Sequence, residues 1–381
     1  MTGKTFPLAA AALLAALTGT LCAQEDITQE VQNTIKQMRT AGDWKDRADA
    51  AEMLGYIGDQ QALSDMAECF SYHPPEFGVK ITEGLGRLGG PRALRVLTTL
   101  INNRYLLQGW NEEPLRQLGE AVGRIDHRKK QVYDLMRNRY EKGCEYSESR
   151  PEPEMLFCLA WYGDDKAIGA LVNEMKTARP DRQRLVAERL GEIGNRKADE
   201  EMTMLVDYSK DLELRKICAV SLGRRRATLA VESLLDALHT NLELEAAQAL
   251  GMIGDREAVP ELKPLLKHKD AAVRLNAAFA LARLGDKSGV DVAKAELGSK
   301  DKRVAAKAAA ALVAAGEDGA VDKLKAAWKP LDAKERYWFI IDNLRGDAWA
   351  EPFLKDVAAN DKYPGTRQTA SEALEKTKEQ D

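Results

Sequence analysis

The chain has 381 residues and a formal net charge of −4, with 44% hydrophobic and 30% charged residues. This is the balance of an ordinary soluble protein, and it argues against non-specific nucleic-acid binding, which needs a basic surface. Only 6% of the residues are aromatic, so the interior has to be built from alanine and leucine, as in tightly stacked helices.

Residues 1–23 differ from the rest. Lys4 gives a short positive start, Leu8 to Leu21 carries no charge, and Cys22-Ala23 precedes the polar run Gln24-Glu25-Asp26. This pattern predicts a signal peptide cleaved after Ala23 and a periplasmic or secreted mature chain. A membrane anchor fits less well, because a span needs roughly 20 apolar residues. Lipidation at Cys22 stays open, although Leu21 stands where a lipobox takes a small residue. Loss of Lys4 leaves −5 on the mature chain, and no later segment is long and apolar enough to span a membrane.

Export permits disulfides among Cys69, Cys144, Cys158 and Cys218. Cys158 and Cys218 fall at inward positions two repeats apart. Helix layers about 8–10 Å apart cannot bring them to the Cα separation of about 4.4–6.8 Å that a disulfide needs. Both read as small buried hydrophobes, and Cys144–Cys158 is the pair left to test.

A helix over 25–41 starts the ordered chain. From there a signature returns nine times: Leu, a small residue, one residue, an aliphatic residue, then Gly-Asp or a relative. AEMLGYIGD at 51–59, AERLGEIGN at 187–195, AQALGMIGD at 247–255 and AFALARLGD at 278–286 are the clear copies. The fifth positions are Gly55, Gly86, Gly123, Ala160, Gly191, Gly223, Gly251, Ala282 and Val313, spaced close to 31. A helical repeat of that period predicts an all-α fold, a right-handed α-solenoid of stacked helix pairs. It forms one domain over 24–381, with degenerate repeats at 127–165 and 330–381.

Residues 255–286 serve as the reference unit. Asp255 caps a first helix starting near Glu257, with Pro260 in its first turn. A second helix follows, with Val273, Ala277, Leu281 and Leu284 on one face. The signature Leu is core, the small residue beside it admits a neighbouring helix, the second Gly stops the helix, and the Asp or Asn caps the next. Asp43/Arg47, Asp211/Arg215 and Asp270/Arg274 recur in register, four residues apart, and predict a ladder of ion pairs between turns and helices. Near the end, ERYWFIIDNL lies in a helix pair over 333–358, and 366–380 forms a polar helix suited to capping the last turn.

These residues carry a resemblance. The stretch 180–316, most clearly DAAVRLNAAFALARLGD at 270–286, resembles HEAT-like repeats of the phycobilisome-lyase type, and the likeness extends weakly over 43–126. It implies helix-pair stacking far more than chemistry, since the fold is shared more widely than any one activity. Deoxyhypusine hydroxylase, an enzyme similar to HEAT repeats, would need His-Glu pairs for two irons. The four histidines, His73, His127, His239 and His268, form none. No metal, cofactor or catalytic spacing is recognisable, so the expectation is a non-enzymatic protein without cofactor.

In such solenoids the second helix of each pair faces the concave side. The positions left facing the groove are those of Asn276, Phe279 and Arg283, and copying the last two through the repeats gives a stripe whose interface-prone members are Tyr56, Arg87, Arg124, Phe157, Trp161, Arg224, Met252, Phe279 and Arg283. Arg224-Arg225-Arg226 replaces the usual aliphatic and Gly-Asp positions with charge. It reads either as an anion site or as a degenerate repeat with a solvated turn. The expected function is an exported scaffold binding a protein partner of the cell envelope along the concave face. The alternatives are a binder of an envelope polymer or small ligand, and an envelope enzyme.

Overall fold

The computed structural model describes residues 27–69, 75–102, 112–126, 130–146 and 153–378. The leader at 1–23, with Cys22, lies outside the described residues, as does the side chain of Cys144. Among the described residues there are twenty-two α-helices and no strand. They form eleven consecutive pairs, an outer helix followed by an inner one. The first pairs are α1 and α2 (27–40 and Trp44–Ile57), α3 and α4 (Leu63–Cys69 and Pro75–Leu88), α5 and α6 (Gly90–Asn102 and Glu112–Asp126), and α7 and α8 (Tyr133–Tyr146 and Pro153–Trp161). Then come α9 and α10 (Asp165–Thr177 and Pro180–Ile193), α11 and α12 (Arg196–Tyr208 and Leu212–Arg225), α13 and α14 (Val231–Ala237 and Glu243–Ile253), and α15 and α16 (Val259–Leu262 and Ala271–Arg283). The last are α17 and α18 (Val290–Glu296 and Lys302–Ala314), α19 and α20 (Ala320–Trp328 and Ala333–Asn343), and α21 and α22 (Glu351–Asn360 and Pro364–Lys378).

The signature residues work as their chemistry requires. A Cβ on Gly55 would lie 2.6 Å from the Cα of Gly84, one on Gly223 2.6 Å from the Cα of Ala249, and one on Gly251 2.7 Å from the Cα of Ala280. Successive inner helices therefore meet backbone to backbone at these points. The second glycine stops the helix in the left-handed region, as at Gly58 (φ 74°) and Gly254 (φ 88°). Asp59, Asp164, Asn195 and Asp255 then accept backbone N–H bonds at the start of the next helix. In the reference unit the outer element is broken. Three-residue and five-residue 3₁₀ turns flank the four-residue α15, because Pro264 lacks the N–H that would carry the α-helix onward.

The recurring Asp and Arg do not build the expected ladder. Asp43, Asp211 and Asp270 cap their inner helices. Arg47, Arg215 and Arg274 turn back to donate to the last carbonyls before the inner helix: Ala41 at 2.6 Å, Val206 at 2.7 Å and His268 at 2.7 Å. Arg336 and Arg367 do the same in the last two pairs. One rung across repeats does form, a two-pronged bond from Arg184 to Asp211. Each of these arginines satisfies carbonyls that a helix end leaves without partners, which a guanidinium does better than it serves an exposed ion pair. Cys69, Cys158 and Cys218 are free, buried thiols, so Cys158 is not disulfide-bonded to Cys144.

The stack does not stay open. Its last pairs return to its first: α20 and α22 both pack against α2. The polar helix expected to cap the last turn buries Thr366, Thr369, Ala370 and Ala373. Gly365, at its start, sits so close to α2 that a Cβ there would collide with the Tyr56 carbonyl oxygen. Small residues on one face of α22 let it serve as a joint, and the solenoid closes into a ring.

Candidate binding site on the inner wall

Ring closure turns the concave surface inward and brings residues from distant repeats together. The first cluster lies beside the seam. Glu52 receives Lys334 of α20 at 2.9 Å and Lys80 of α4 at 3.3 Å. The Tyr56 hydroxyl accepts from the Trp338 indole N–H at 3.1 Å. Between these groups the Arg87 guanidinium lies 4.3 Å from the Tyr56 ring centroid, 4.9 Å from that of Tyr337 and 5.9 Å from that of Trp338. Burial works against the Arg87 charge, but Tyr337, Tyr56, Glu83 and Glu192 outweigh it and hold the group above its usual value.

The second cluster centres on Arg189. It bonds Glu120 at 3.0 Å and Glu192 at 3.2 Å, and Arg124 bonds the same two carboxylates at 2.9 and 3.1 Å. Burial pushes Glu120 up against the pull of Arg189 and Arg124. Glu83 has the opposite balance. Burial raises it, yet Lys80, Arg87 and Arg189 bring it down to about 2.

The third cluster crosses the ring. Arg224 donates to Asp342 at 2.7 Å and lies 5.0 Å from the Trp338 ring centroid. Arg226 reaches Asp347 at 2.7 Å, and Arg283 grips the same carboxylate with two nitrogens at 2.6 and 2.8 Å. Arg225 turns outward to Asp199 at 3.4 Å. The arginine triplet is therefore neither a solvated turn nor a degenerate repeat. Arg226 occupies the glycine stop position at φ 54°, and two of the three side chains tie the sixth repeat to residues nearly 120 positions later.

Of the stripe read from sequence, Tyr56, Arg87, Arg124, Arg224 and Arg283 belong to these clusters. Trp161 is half-buried at the wall, with the Arg124 guanidinium 5.7 Å from its ring centroid. Phe279 is buried edge-on against Trp349, with ring centroids 5.9 Å apart. Three assignments need correction, the first being Phe279 itself, 3% exposed and packed in the core. Phe157, 1% exposed, is a core residue, because every position from Met155 to Ala160 in α8 is buried. Met252, 3% exposed, fills the space beside Gly223 with its sulfur.

Sequence reasoning missed Arg189, Lys307, Lys334, Tyr337, Trp338, Asp342, Arg345 and Asp347. The run ERYWFIID carried a signal, since three adjacent aromatic residues, Tyr337, Trp338 and Phe339, and an inward-facing acid are unusual in an aromatic-poor chain. Among the described residues, no group of three or more His, Cys, Asp or Glu is placed to hold a metal ion, and no helix is long and apolar enough to cross a membrane.

The family model described as HEAT repeats matches residues 31–132, 230–295 and 259–342, more than half of the chain. The chain belongs to the HEAT-repeat family, whose solenoids suggest a protein-binding scaffold. The match takes in the first repeats fully and passes over 133–229, where the signature reads clearly only at 187–195. No curated protein matches the chain. Among solved structures it is similar to human deoxyhypusine hydroxylase in complex with glycerol, at 17% identity over 70% of this chain and 98% of that one, with a TM-score of 0.33. It is similar to an engineered protein at 22% identity over 56% and 96%, with a TM-score of 0.31. It is also similar to the karyopherin Kap121p bound to the extreme C-terminus of the protein phosphatase Cdc14p, at 11% identity over 92% of this chain but 43% of that one, with a TM-score of 0.34. At these values the likenesses bear no functional weight.

Proposed function

We propose that the protein is an exported, non-enzymatic scaffold that captures a protein partner of the cell envelope on its inner wall, reached when the ring parts at its seam. The observation that carries this reading is the chemistry of the seam. Consecutive inner helices join through glycine and alanine backbones. The first and last repeats share one such backbone contact, Gly365 on Tyr56, and otherwise join through polar and aromatic side chains: Glu52 to Lys334, Tyr56 to Trp338, and Glu30 to both Lys362 and Tyr363. The exposed Glu30–Lys362 pair gives up its contact at small net cost, and the more buried seam groups, Glu52, Tyr56 and Tyr363, need new partners on the captured protein when they part. The wall exposed by opening carries arginine and aromatic anchors, the residue types that dominate protein interfaces. Export rests on the charge-free stretch from Leu8 to Leu21 followed by Cys22-Ala23.

The test locks the seam. Glu30→Cys with Lys362→Cys places two exposed thiols across it, and a short bismaleimide joins them. Uncrosslinked protein should recover one stoichiometric protein from an envelope extract, and crosslinked protein should not. Equal recovery by both would place the partner on the outer surface and overturn the inner-wall assignment. Enrichment on peptidoglycan or polysaccharide with no protein partner would overturn the scaffold reading itself.

A further inference from the structure

Backbone-to-backbone packing carries the inner wall through α4, α6 and α8 and again from α10 to α16, but not from α8 to α10. Gly86 of α4 rests on Ala121 of α6, Gly123 of α6 on Cys158 of α8, and Gly191 of α10 on Ser221 of α12. Among the described residues, α8 and α10 do not stack in this way. Long side chains fill the step instead. The Arg182 guanidinium of α10 lies 4.9 Å from the Phe157 ring centroid of α8. Arg124 of α6 lies over Trp161 of α8 and reaches Glu192 of α10 at 3.1 Å. Arg189 of α10 returns to Glu120 of α6 at 3.0 Å and comes within 4.0 Å of Glu83 of α4. The ion pairs therefore bridge over α8, and Arg124, Arg189, Glu120 and Glu192 are all largely buried.

On the outer side of this step, α9 packs on both α8 and α10, and its buried Ile168, Leu171 and Met175 carry the apolar core across. The step is tied by apolar packing outside and by ion pairs inside. Apolar contacts resist separation in proportion to the area they bury. A buried ion pair loses little on parting, because rehydration repays most of the lost attraction. Rotation about α9 spreads the inner side while the outer side stays packed, and that is the movement that parts a ring at a distant seam. The step from α18 to α20 is also light, but one apolar cluster takes in both helices, and Trp328 of α19 meets Phe339 of α20 edge-on at 5.9 Å.

We propose that α9 is a hinge, and that Arg124, Arg189, Glu120 and Glu192 form the latch that holds it shut. The repeats from α1 to α8 swing as one body against those from α10 to α22, and the seam of α2 with α20 and α22 opens as they do. The inference rests on the seam opening proposed above and supplies its movement. It does not depend on which protein is captured.

Glu120→Gln with Glu192→Gln tests the latch. The amides keep the shape but leave two guanidinium groups without their carboxylates in the closed state, and opening hydrates them. Pulsed electron resonance reads three pairs of spin labels in wild type and in this variant. The seam pair, Glu30→Cys with Lys362→Cys, should stay short in wild type. In the variant it should gain a population longer by at least about 10 Å, one helix layer. Glu30→Cys with Arg95→Cys, inside the first body, and Arg196→Cys with Lys362→Cys, inside the second, should keep their distances. Glu213→Gln, which removes the partner of Lys216 near the surface, should leave the seam shut. Should the double variant fail to fold, Glu192→Gln alone is read in the same way. A seam that stays shut in the folded latch variant overturns the hinge. A lengthened Arg196–Lys362 distance overturns it equally, because the bend then lies elsewhere. A variant that opens as expected while no envelope protein is captured supports the hinge and sinks the scaffold reading. A seam that stays shut in the variant, while wild type captures its partner only when uncrosslinked, sinks the hinge and leaves that reading standing.

Discussion

Gly365 at the start of the last helix rests directly on the backbone carbonyl of Tyr56 in the first inner helix. Nothing larger fits, and the two residues lie at opposite ends of the chain. Gly365→Val should force the joint apart and cost about 1–3 kcal/mol, the range for overpacked sites. Small-angle scattering should show a larger radius of gyration with helix content unchanged. An unaltered scattering curve in a folded variant would mean that the joint is not held at this point.

The two glycines of the signature should fail in different ways. Gly251 packs against Ala280, so Gly251→Ala pushes a methyl into backbone, and no small residue other than glycine restores it. Gly254 has open space around it but sits at φ 88°. Gly254→Ala should cost about 1–2 kcal/mol, and Gly254→Asn less, because asparagine tolerates that backbone. Urea denaturation of the three variants checks the order.

Asp347 is the shared carboxylate of Arg226 and Arg283. Asp347→Ala strands two largely buried guanidinium groups and should destabilise by about 3–5 kcal/mol. Asp356→Ala removes the partner of Lys325 in a well-exposed pair and should cost about 0–1 kcal/mol. Similar losses at both positions would show that the cross-ring tie has no special weight.

Acid should loosen the wall. Glu83 titrates near 2 in the folded chain against a usual 4.5. Its ion pairs therefore stabilise the fold fully above pH 4.5 and are lost as pH falls toward 2, a contribution of about 3 kcal/mol. Glu120, raised by burial, runs the other way and offsets part of the loss. The stability difference between wild type and Glu83→Gln should shrink steadily from pH 5 to pH 2. A constant difference would contradict the ion-pair account.

How much of this could be read from the chain follows from the range of each interaction. Helix pairing, the packing of Gly55, Gly223 and Gly251, the stops at Gly58 and Gly254 and the caps at Asp59 and Asp255 are local or one repeat apart, so a period near 31 exposes them. Glu52–Lys334, Arg224–Asp342 and Tyr56–Gly365 join residues more than 100 positions apart, and no periodicity encodes them. The stripe was found because inner positions repeat. Phe157 is misplaced because copying a register cannot reveal that all six residues from Met155 to Ala160 of its helix are buried. The arginine triplet looks degenerate in sequence because the carboxylates of Arg224 and Arg226 lie four repeats away.

The closed ring is tested most directly by the distance between its ends. Spin labels on Glu30→Cys and Lys362→Cys, whose native side chains meet at 3.2 Å, report that distance in solution by pulsed electron resonance. A closed ring gives a single short distance. An open stack, with ten steps of about 8–10 Å between layers, would put the labels several tens of ångströms apart in a broad distribution, and that result would contradict the ring.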